Sequence, residues 1–155
     1  MKFTLFALLA AAGLGSLGTA EAKKLTHKEA TAKLSAAGVK WESSGGCSDK
    51  NGASCTSFTG VREETIAGAI TLKRACGCSV TITGGTETGH ASGTYSHWNG
   101  YKLDFKKASG LNNYITNTFT RIADRGSDPQ YKAKSGNTYV NEGNHWDVTF
   151  FTDGS

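Results

Sequence analysis

The sequence has little proline and few long apolar runs. It contains one proline in 155 residues, and its longest apolar stretch covers residues 3–14. That stretch follows Lys2 and leads into small residues ending at Ala22, the pattern of a secretory signal peptide. It is too short for a transmembrane helix, which needs about 20 apolar residues. The sequence therefore predicts a signal peptide over residues 1–22 and a secreted, extracellular single domain over residues 23–155.

The sequence also lacks a basic run with interleaved aromatic residues, which argues against a nucleic-acid partner. Its 17 Lys and Arg residues against 13 Asp and Glu residues give a net charge of +4. Loss of residues 1–22 removes one charge of each sign. Ordinary solubility accounts for this charge, and weak attraction to anionic surfaces such as bacterial wall polymers is the functional alternative. We expect a monomer with no membrane partner.

Cysteine is scarce, and its few positions are close together. The four cysteines are Cys47, Cys55, Cys76 and Cys78. In an exported domain an even number indicates disulfides. A four-cysteine zinc site is the alternative, but the last two cysteines lack the two-residue spacer that such sites use. Three pairings are possible. We favour two bridges from the 47–55 loop to the 76–78 segment, because a direct link between Cys76 and Cys78 would be strained.

Hydrophobic periodicity predicts a mixture of helices and strands. A capping box at Thr26 and Glu29 predicts a helix start. Helices are predicted over residues 27–37, 63–75 and 111–121. Strands are predicted over residues 78–83, 101–105, 138–140 and 145–152, and residues 124–137, with Pro129, are predicted as a polar loop. This order favours an α+β fold with a small antiparallel sheet flanked by about three helices.

Two polar segments carry candidate residues for chemistry. In the predicted strand 101–105, Leu103 and Phe105 share one face and Asp104 lies on the other. His97 precedes this strand, and a turn would place it beside Asp104. His145 begins the last predicted strand, three residues after Glu142. A catalytic zinc needs three protein ligands, an open position and a nearby base, and these residues offer two nitrogens and two carboxylates.

Together these segments resemble the D-alanyl-D-alanine metallopeptidases, the family of VanX-like dipeptidases, VanY-like carboxypeptidases and related phage endolysins. The family motifs have the forms Ser-x-His-x-x-Gly-x-x-x-Asp and Glu-x-x-His. They are matched by Ser96, His97, Gly100, Asp104, Glu142 and His145. Ser96 departs from the pattern, because it directly precedes the histidine.

The resemblance implies a Hedgehog/D-Ala-D-Ala peptidase-like fold and one zinc ion. It assigns the metal to His97, Asp104 and His145, and the role of catalytic base to Glu142. His90 and Ser96 are predicted to contact substrate. The implied substrates are the stem peptides of bacterial peptidoglycan, cleaved by a D,D-carboxypeptidase or an L-alanyl-D-glutamate-type endopeptidase.

One segment departs from the family. Relatives carry a Ser-Gly-Tyr-Arg-like segment whose arginine polarises the scissile carbonyl or holds substrate, and residues 84–87 here contain no arginine. His90, Arg62 and Arg121 are the candidates to replace it. Losing such a group can cost a hundredfold or more in rate, roughly 3 kcal/mol.

Two other carboxylates and two other functions stay open. Asp147 alternates with His145 and is either an orienting group or a solvated edge residue, whereas Glu87 is more simply interpreted as a surface-loop charge. The alternatives to an enzyme are a catalytically inactive secreted binding or effector protein that retains the fold, and a disulfide-stapled structural or adhesive protein without a metal.

Overall fold

A computed structural model describes residues 23–155, so the predicted signal peptide lies outside the described residues. Over this range the chain forms three helices and nine strands. None of these helices is long and apolar enough to cross a bilayer. The elements are β1 (Lys24–Leu25), α1 (His27–Ala36), β2 (Lys40–Trp41), β3 (Val61–Arg62), α2 (Glu63–Cys76), β4 (Thr81–Gly84), β5 (Lys102–Lys106), α3 (Ser109–Thr118), β6 (Thr120–Arg125), β7 (Asp128–Lys132), β8 (Thr138–Asn141) and β9 (His145–Thr149).

The main sheet has seven strands in the order β2-β4-β5-β9-β8-β7-β6, and β1 and β3 form a separate antiparallel pair. Strands β2 and β4 are parallel, whereas the other neighbours in the main sheet are antiparallel. The predicted α+β class and the three helices are confirmed. The prediction of a small antiparallel sheet is only partly correct, because β2 adds a parallel edge and β6 and β7 extend the other side.

Helix ends follow the predicted local chemistry. At the start of α1, the Thr26 hydroxyl accepts a hydrogen bond from the Glu29 amide at 3.1 Å, and the Glu29 carboxylate accepts one from the Thr26 amide at 3.4 Å. This reciprocal pair satisfies two amides that would otherwise lack partners. Helix α2 ends at Gly77, whose φ of 56° allows the left-handed turn that closes many helices.

The predicted loop over residues 124–137 is partly wrong, because β6 and β7 occupy half of it. Pro129 lies where the pairing of these strands is irregular, between the Ile122–Gln130 and Arg125–Asp128 pairs. Proline has no amide hydrogen to donate, so a strand tolerates it at such an irregularity.

The favoured disulfide pairing is also wrong. The structure links Cys47 to Cys55 and Cys76 to Cys78, with Cα–Cα distances of 4.7 and 5.1 Å. Both distances lie in the ordinary range for disulfides, about 4.4–6.8 Å. The short link is possible because Gly77 turns the chain back at the end of α2.

The sheet separates an apolar face from a polar face. Leu103 and Phe105 of β5 lie in the core with Trp146 and Val148 of β9, and all four are almost fully buried. The intervening residues of both strands lie on the opposite face, because side chains alternate along a strand. That polar face carries the candidate site.

Candidate metal centre

The sheet register brings the predicted acidic residues together. Asp104 of β5 pairs directly with Asp147 of β9, and Gly84 of β4 lies on the other side of Asp104. A Cβ atom at Gly84 would approach Asp104 Oδ2 to 2.6 Å, so the absence of a side chain there makes room for the carboxylate.

A turn before β5 folds His97 back onto Asp104, as predicted. The Gly100 amide donates to the His97 carbonyl at 2.9 Å, and the Tyr101 amide donates to the Ser96 carbonyl at 3.1 Å. Gly100 has a φ of +84°, and a Cβ atom there would lie 2.6 Å from the Gly60 carbonyl oxygen. The glycine of the first motif therefore has a structural role in this turn.

His97 lies between two carboxylates. Its Nε2 atom is 3.2 Å from Asp104 Oδ1 and 3.0 Å from Asp147 Oδ1, and its Nδ1 atom is 2.9 Å from the Gly85 carbonyl oxygen. Burial opposes protonation of this ring, but the adjoining carboxylates of Asp104 and Asp147 outweigh burial and raise the His97 pKa to about 9.

His145 reaches the same aspartate from the end of β9. Its Nε2 atom is 3.6 Å from Asp104 Oδ1 and 3.0 Å from Glu142 Oε2. Its Nδ1 atom is 2.6 Å from the side-chain oxygen of Asn144. The four residues that the sequence assigned to metal and base are thus neighbours in the structure.

Asp104 provides the clearest structural signal at this site. Its Oδ1 atom is buried and accepts no hydrogen bond from the described part of the chain. A buried carboxylate oxygen without a hydrogen bond is unfavourable and needs an explanation. Ligand atoms bound to a tetrahedral zinc at about 2.0–2.1 Å lie roughly 3.3 Å apart. The distances from this oxygen to His97 Nε2 and His145 Nε2, 3.2 and 3.6 Å, are close to that value, which suits metal binding at this oxygen.

His90 is a further potential ligand that sequence reasoning placed only at the substrate. Its ring stacks on His97 with 3.8 Å between centroids, and its Nδ1 atom is 3.8 Å from Asp104 Oδ2. One ligand atom from each of His90, His97 and Asp104 lies within 4.8 Å of the others, so this group could hold a metal ion. The only sequence feature that pointed to His90 as a ligand was its position as a third histidine in a glycine-rich loop.

Glu87 is not the surface-loop charge that the sequence suggested, because only 3% of this residue is exposed. Its Oε2 atom is 2.5 Å from His90 Nε2, and its Oε1 atom accepts hydrogen bonds from the Ser57 and Gly85 amides at 2.9 and 2.8 Å. Burial opposes its ionisation, but the hydrogen bonds from His90, Ser57 and Gly85 outweigh burial and lower the Glu87 pKa. Glu87 therefore fixes the orientation of His90.

Two cations complete the site, and sequence reasoning assigned a role to neither. Lys102 Nζ and Arg125 Nη1 lie 2.9 and 2.7 Å from Asp147 Oδ2, and Arg125 Nη2 also contacts Glu142 Oε1. Burial opposes ionisation of Asp147, but the hydrogen bond from His97 and the charge of Lys102 hold its pKa below the usual range. Asp147 is thus an internal partner of His97 and not a solvated edge residue.

The other residues considered as substrate contacts are engaged in hydrogen bonds or ion pairs with other groups of the protein. Ser96 is buried, and its hydroxyl accepts a hydrogen bond from the Asn99 amide at 3.2 Å. Its contact with substrate stays a prediction. Arg62 donates to the Phe150 carbonyl at 3.1 Å, and Arg121 pairs with Asp124 at 2.6 Å. Neither arginine lines the cavity described next.

A cavity of about 580 Å³ connects these groups to solvent. It combines three histidines, three carboxylates and two cations. It is lined by Gly89, His90, Ala91, His97, Lys102, Asp104, Arg125, Glu142, His145 and Asp147. This set can bind a divalent cation and transfer a proton next to it.

Comparisons with protein-family models, curated proteins and solved structures found no match to this chain. The resemblance to the D-alanyl-D-alanine metallopeptidases therefore depends on the two motifs alone.

Proposed function

We propose that this protein is a secreted zinc-dependent peptidase that cleaves stem peptides of bacterial peptidoglycan. In this proposal His97, Asp104 and His145 bind the metal and Glu142 is the catalytic base. The observation that carries the proposal is the buried Asp104 Oδ1 atom, which lacks a hydrogen bond and faces the Nε2 atoms of both histidines.

The second nitrogen of each histidine supports this ligand set. His97 Nδ1 can donate to the Gly85 carbonyl and His145 Nδ1 to the Asn144 amide oxygen. Each contact uses Nδ1, so Nε2, the ring nitrogen nearer Asp104, would be the atom that binds the metal. Histidines that bind metals almost always donate the other ring nitrogen in this way.

The donor types favour zinc over harder ions. Two imidazole nitrogens and one carboxylate suit zinc, whereas magnesium and calcium prefer oxygen ligands. When bound, zinc polarises a carbonyl group and makes water a stronger nucleophile near neutral pH.

The position of Glu142 supports its proposed role as the base. Its Oε2 atom is 3.0 Å from His145 Nε2, so it lies beside the proposed metal ligands. It would accept a proton from the attacking water and donate it to the leaving amine. The substrate class depends on the motif resemblance and on the predicted signal peptide, and the two disulfides are compatible with an oxidising compartment.

The test combines metal analysis with a muropeptide digest of purified wild-type protein and Glu142→Ala. We expect about one zinc per chain in both proteins. Hydrolysis should fall by about 100- to 10,000-fold in Glu142→Ala, the range expected for loss of a general base. Glu42→Ala is the matched control, because Glu42 is exposed and pairs with Lys106 away from the cavity.

Two results would contradict the proposal. Retained turnover in Glu142→Ala would refute the assigned base. Wild-type protein that binds no zinc at near-stoichiometric levels would refute the metal centre and favour a disulfide-stapled structural protein.

A catalytically inactive binding or effector protein that retains the fold and the metal is the second candidate. The observation that favours it is the contact of Arg125 with Glu142 Oε1, which engages one oxygen of the proposed base in an ion pair. Zinc binding without cleavage by the wild type would support this candidate.

A further inference from the structure

We propose that Arg125 forms a subsite for the free carboxylate of a peptide's C-terminal residue, so that the cleft releases one terminal amino acid. This inference rests on the proposed peptidase function and selects carboxypeptidase over endopeptidase activity. It assigns substrate recognition to a residue outside both sequence motifs.

Arg125 is a partly exposed cation that is held by a buried carboxylate, Asp147. It is the last residue of β6, its side chain is 40% exposed, and it lines the cavity. Its Nη1 atom lies 2.7 Å from Asp147 Oδ2, and the Asp147 side chain is only 5% exposed. This ion pair with Asp147 fixes one edge of the guanidinium at the cavity wall.

Asp147 does not need Arg125 for its own neutralisation. Its Oδ2 atom is 2.9 Å from the Nζ atom of Lys102. Lys102 is also the less exposed of the two cations, at 20%. Arg125 is therefore the positive group that remains available to a ligand.

The guanidinium has the chemistry to recognise a carboxylate. It carries five N–H donors in a planar fork, and its contacts with Asp147 and Glu142 leave donors unused. Arginine binds carboxylates through paired, charge-assisted hydrogen bonds. An incoming carboxylate would also compete with Glu142 for Nη2, which would free the base for proton transfer.

The position of Arg125 beside Glu142 limits the length of the leaving group. The carboxyl carbon of a C-terminal residue is three bonds from the scissile carbonyl carbon, a span under about 4 Å. A carboxylate bound next to the base thus fits a leaving group of one residue. In the reaction the peptide C–N bond breaks, water supplies hydroxyl to the acyl carbon, and Glu142 passes the second proton to the amine. The products are a shortened peptide acid and one amino acid.

The test separates binding from turnover. Calorimetry on metal-free protein would compare an N-acetylated tripeptide ending in D-alanyl-D-alanine as its free acid and as its C-terminal amide. We expect the wild type to prefer the acid by about 10- to 100-fold, as for hydrogen bonds to charged groups. Arg125→Gln should remove this preference. Arg121→Gln is the matched control, because Arg121 lies on the same strand and pairs with Asp124.

Equal binding of acid and amide by the wild type would overturn the inference, as would an acid preference that persists in Arg125→Gln. Arg125→Lys keeps the charge without the fork and should retain part of the preference, which guards against misfolding of the glutamine variant. A wild type that prefers the acid but, loaded with zinc, cleaves neither peptide would support the subsite and refute the peptidase. Cleavage of both peptides at equal rates would support the peptidase and overturn the subsite.

Discussion

The two faces of strands β5 and β9 are built from opposite chemistry. On one face Phe105 pairs with Trp146 and Leu103 with Val148, all buried in the core. On the other face the carboxylates of Asp104 and Asp147 lie on directly paired residues. One pair of strands thus supplies both the core that stabilises the fold and the cluster that carries the candidate chemistry.

The two faces contribute differently to the stability of the sheet. Apolar side chains on paired strands stabilise a sheet, whereas like charges directly opposite each other destabilise it. The polar face keeps two such carboxylates and offsets them with His97 and Lys102. Buried ionisable clusters of this kind are common at functional sites, because binding or catalysis requires their charges.

The largest expected effect comes from the apolar face. Phe105→Ala should lower the free energy of unfolding by about 3–5 kcal/mol, because it removes a fully buried ring and leaves a cavity. Urea unfolding of the metal-free protein would measure this loss.

A substitution of the neighbouring residue on the polar face would test this difference in stability between the two faces. Asp104→Asn should change the stability of the metal-free protein by less than about 1 kcal/mol or raise it, because it removes one of two opposed charges. If Asp104→Asn destabilised the protein as much as Phe105→Ala, the polar face would stabilise the sheet as much as the apolar face does.

A difference in zinc affinity is expected within the polar face, between the two histidines that flank Asp104. His145→Ala should lower zinc affinity by more than about 100-fold, because it removes a proposed ligand. His90→Ala should lower it by about 10- to 100-fold or less, the range for groups that only support ligands. Competition with a zinc-binding dye would measure both affinities.

The opposite order of zinc affinities would indicate a different set of metal ligands. If His90→Ala lost zinc and His145→Ala retained it, the ion would be held by His90, His97 and Asp104, whose ligand atoms lie within 4.8 Å of one another. Unfolding curves of both variants would show whether lost affinity reflects lost structure.

Much of this polar face could be predicted from the sequence. Alternation along β5 separated Leu103 and Phe105 from Asp104, and the two motifs named His97 and His145 as its neighbours. These signals are local, because side-chain direction in a strand and the fold-back at a glycine turn depend on nearby residues.

The features of the polar face that the sequence did not predict depend on contacts between distant segments of the chain. The pairing of Asp104 with Asp147 is fixed by strand register, and the burial of Glu87 depends on amides from residues far apart in the chain. Arg125 was missed because β6 is the outer strand of the sheet and is largely exposed, so its sequence lacks apolar alternation.

The smallest expected effect tests whether charge alone distinguishes the polar face. Lys106 continues the polar row of β5, but its Nζ atom pairs with Glu42 at 3.1 Å, and both side chains are more than half exposed. Lys106→Ala should change the free energy of unfolding by less than about 1 kcal/mol, as for other exposed ion pairs, and should leave zinc affinity unchanged. Urea unfolding and the zinc competition assay would measure both quantities. A loss comparable to that of Phe105→Ala would mean that the whole polar row stabilises the fold, and the cost of burying Asp104 and Asp147 would no longer point to function.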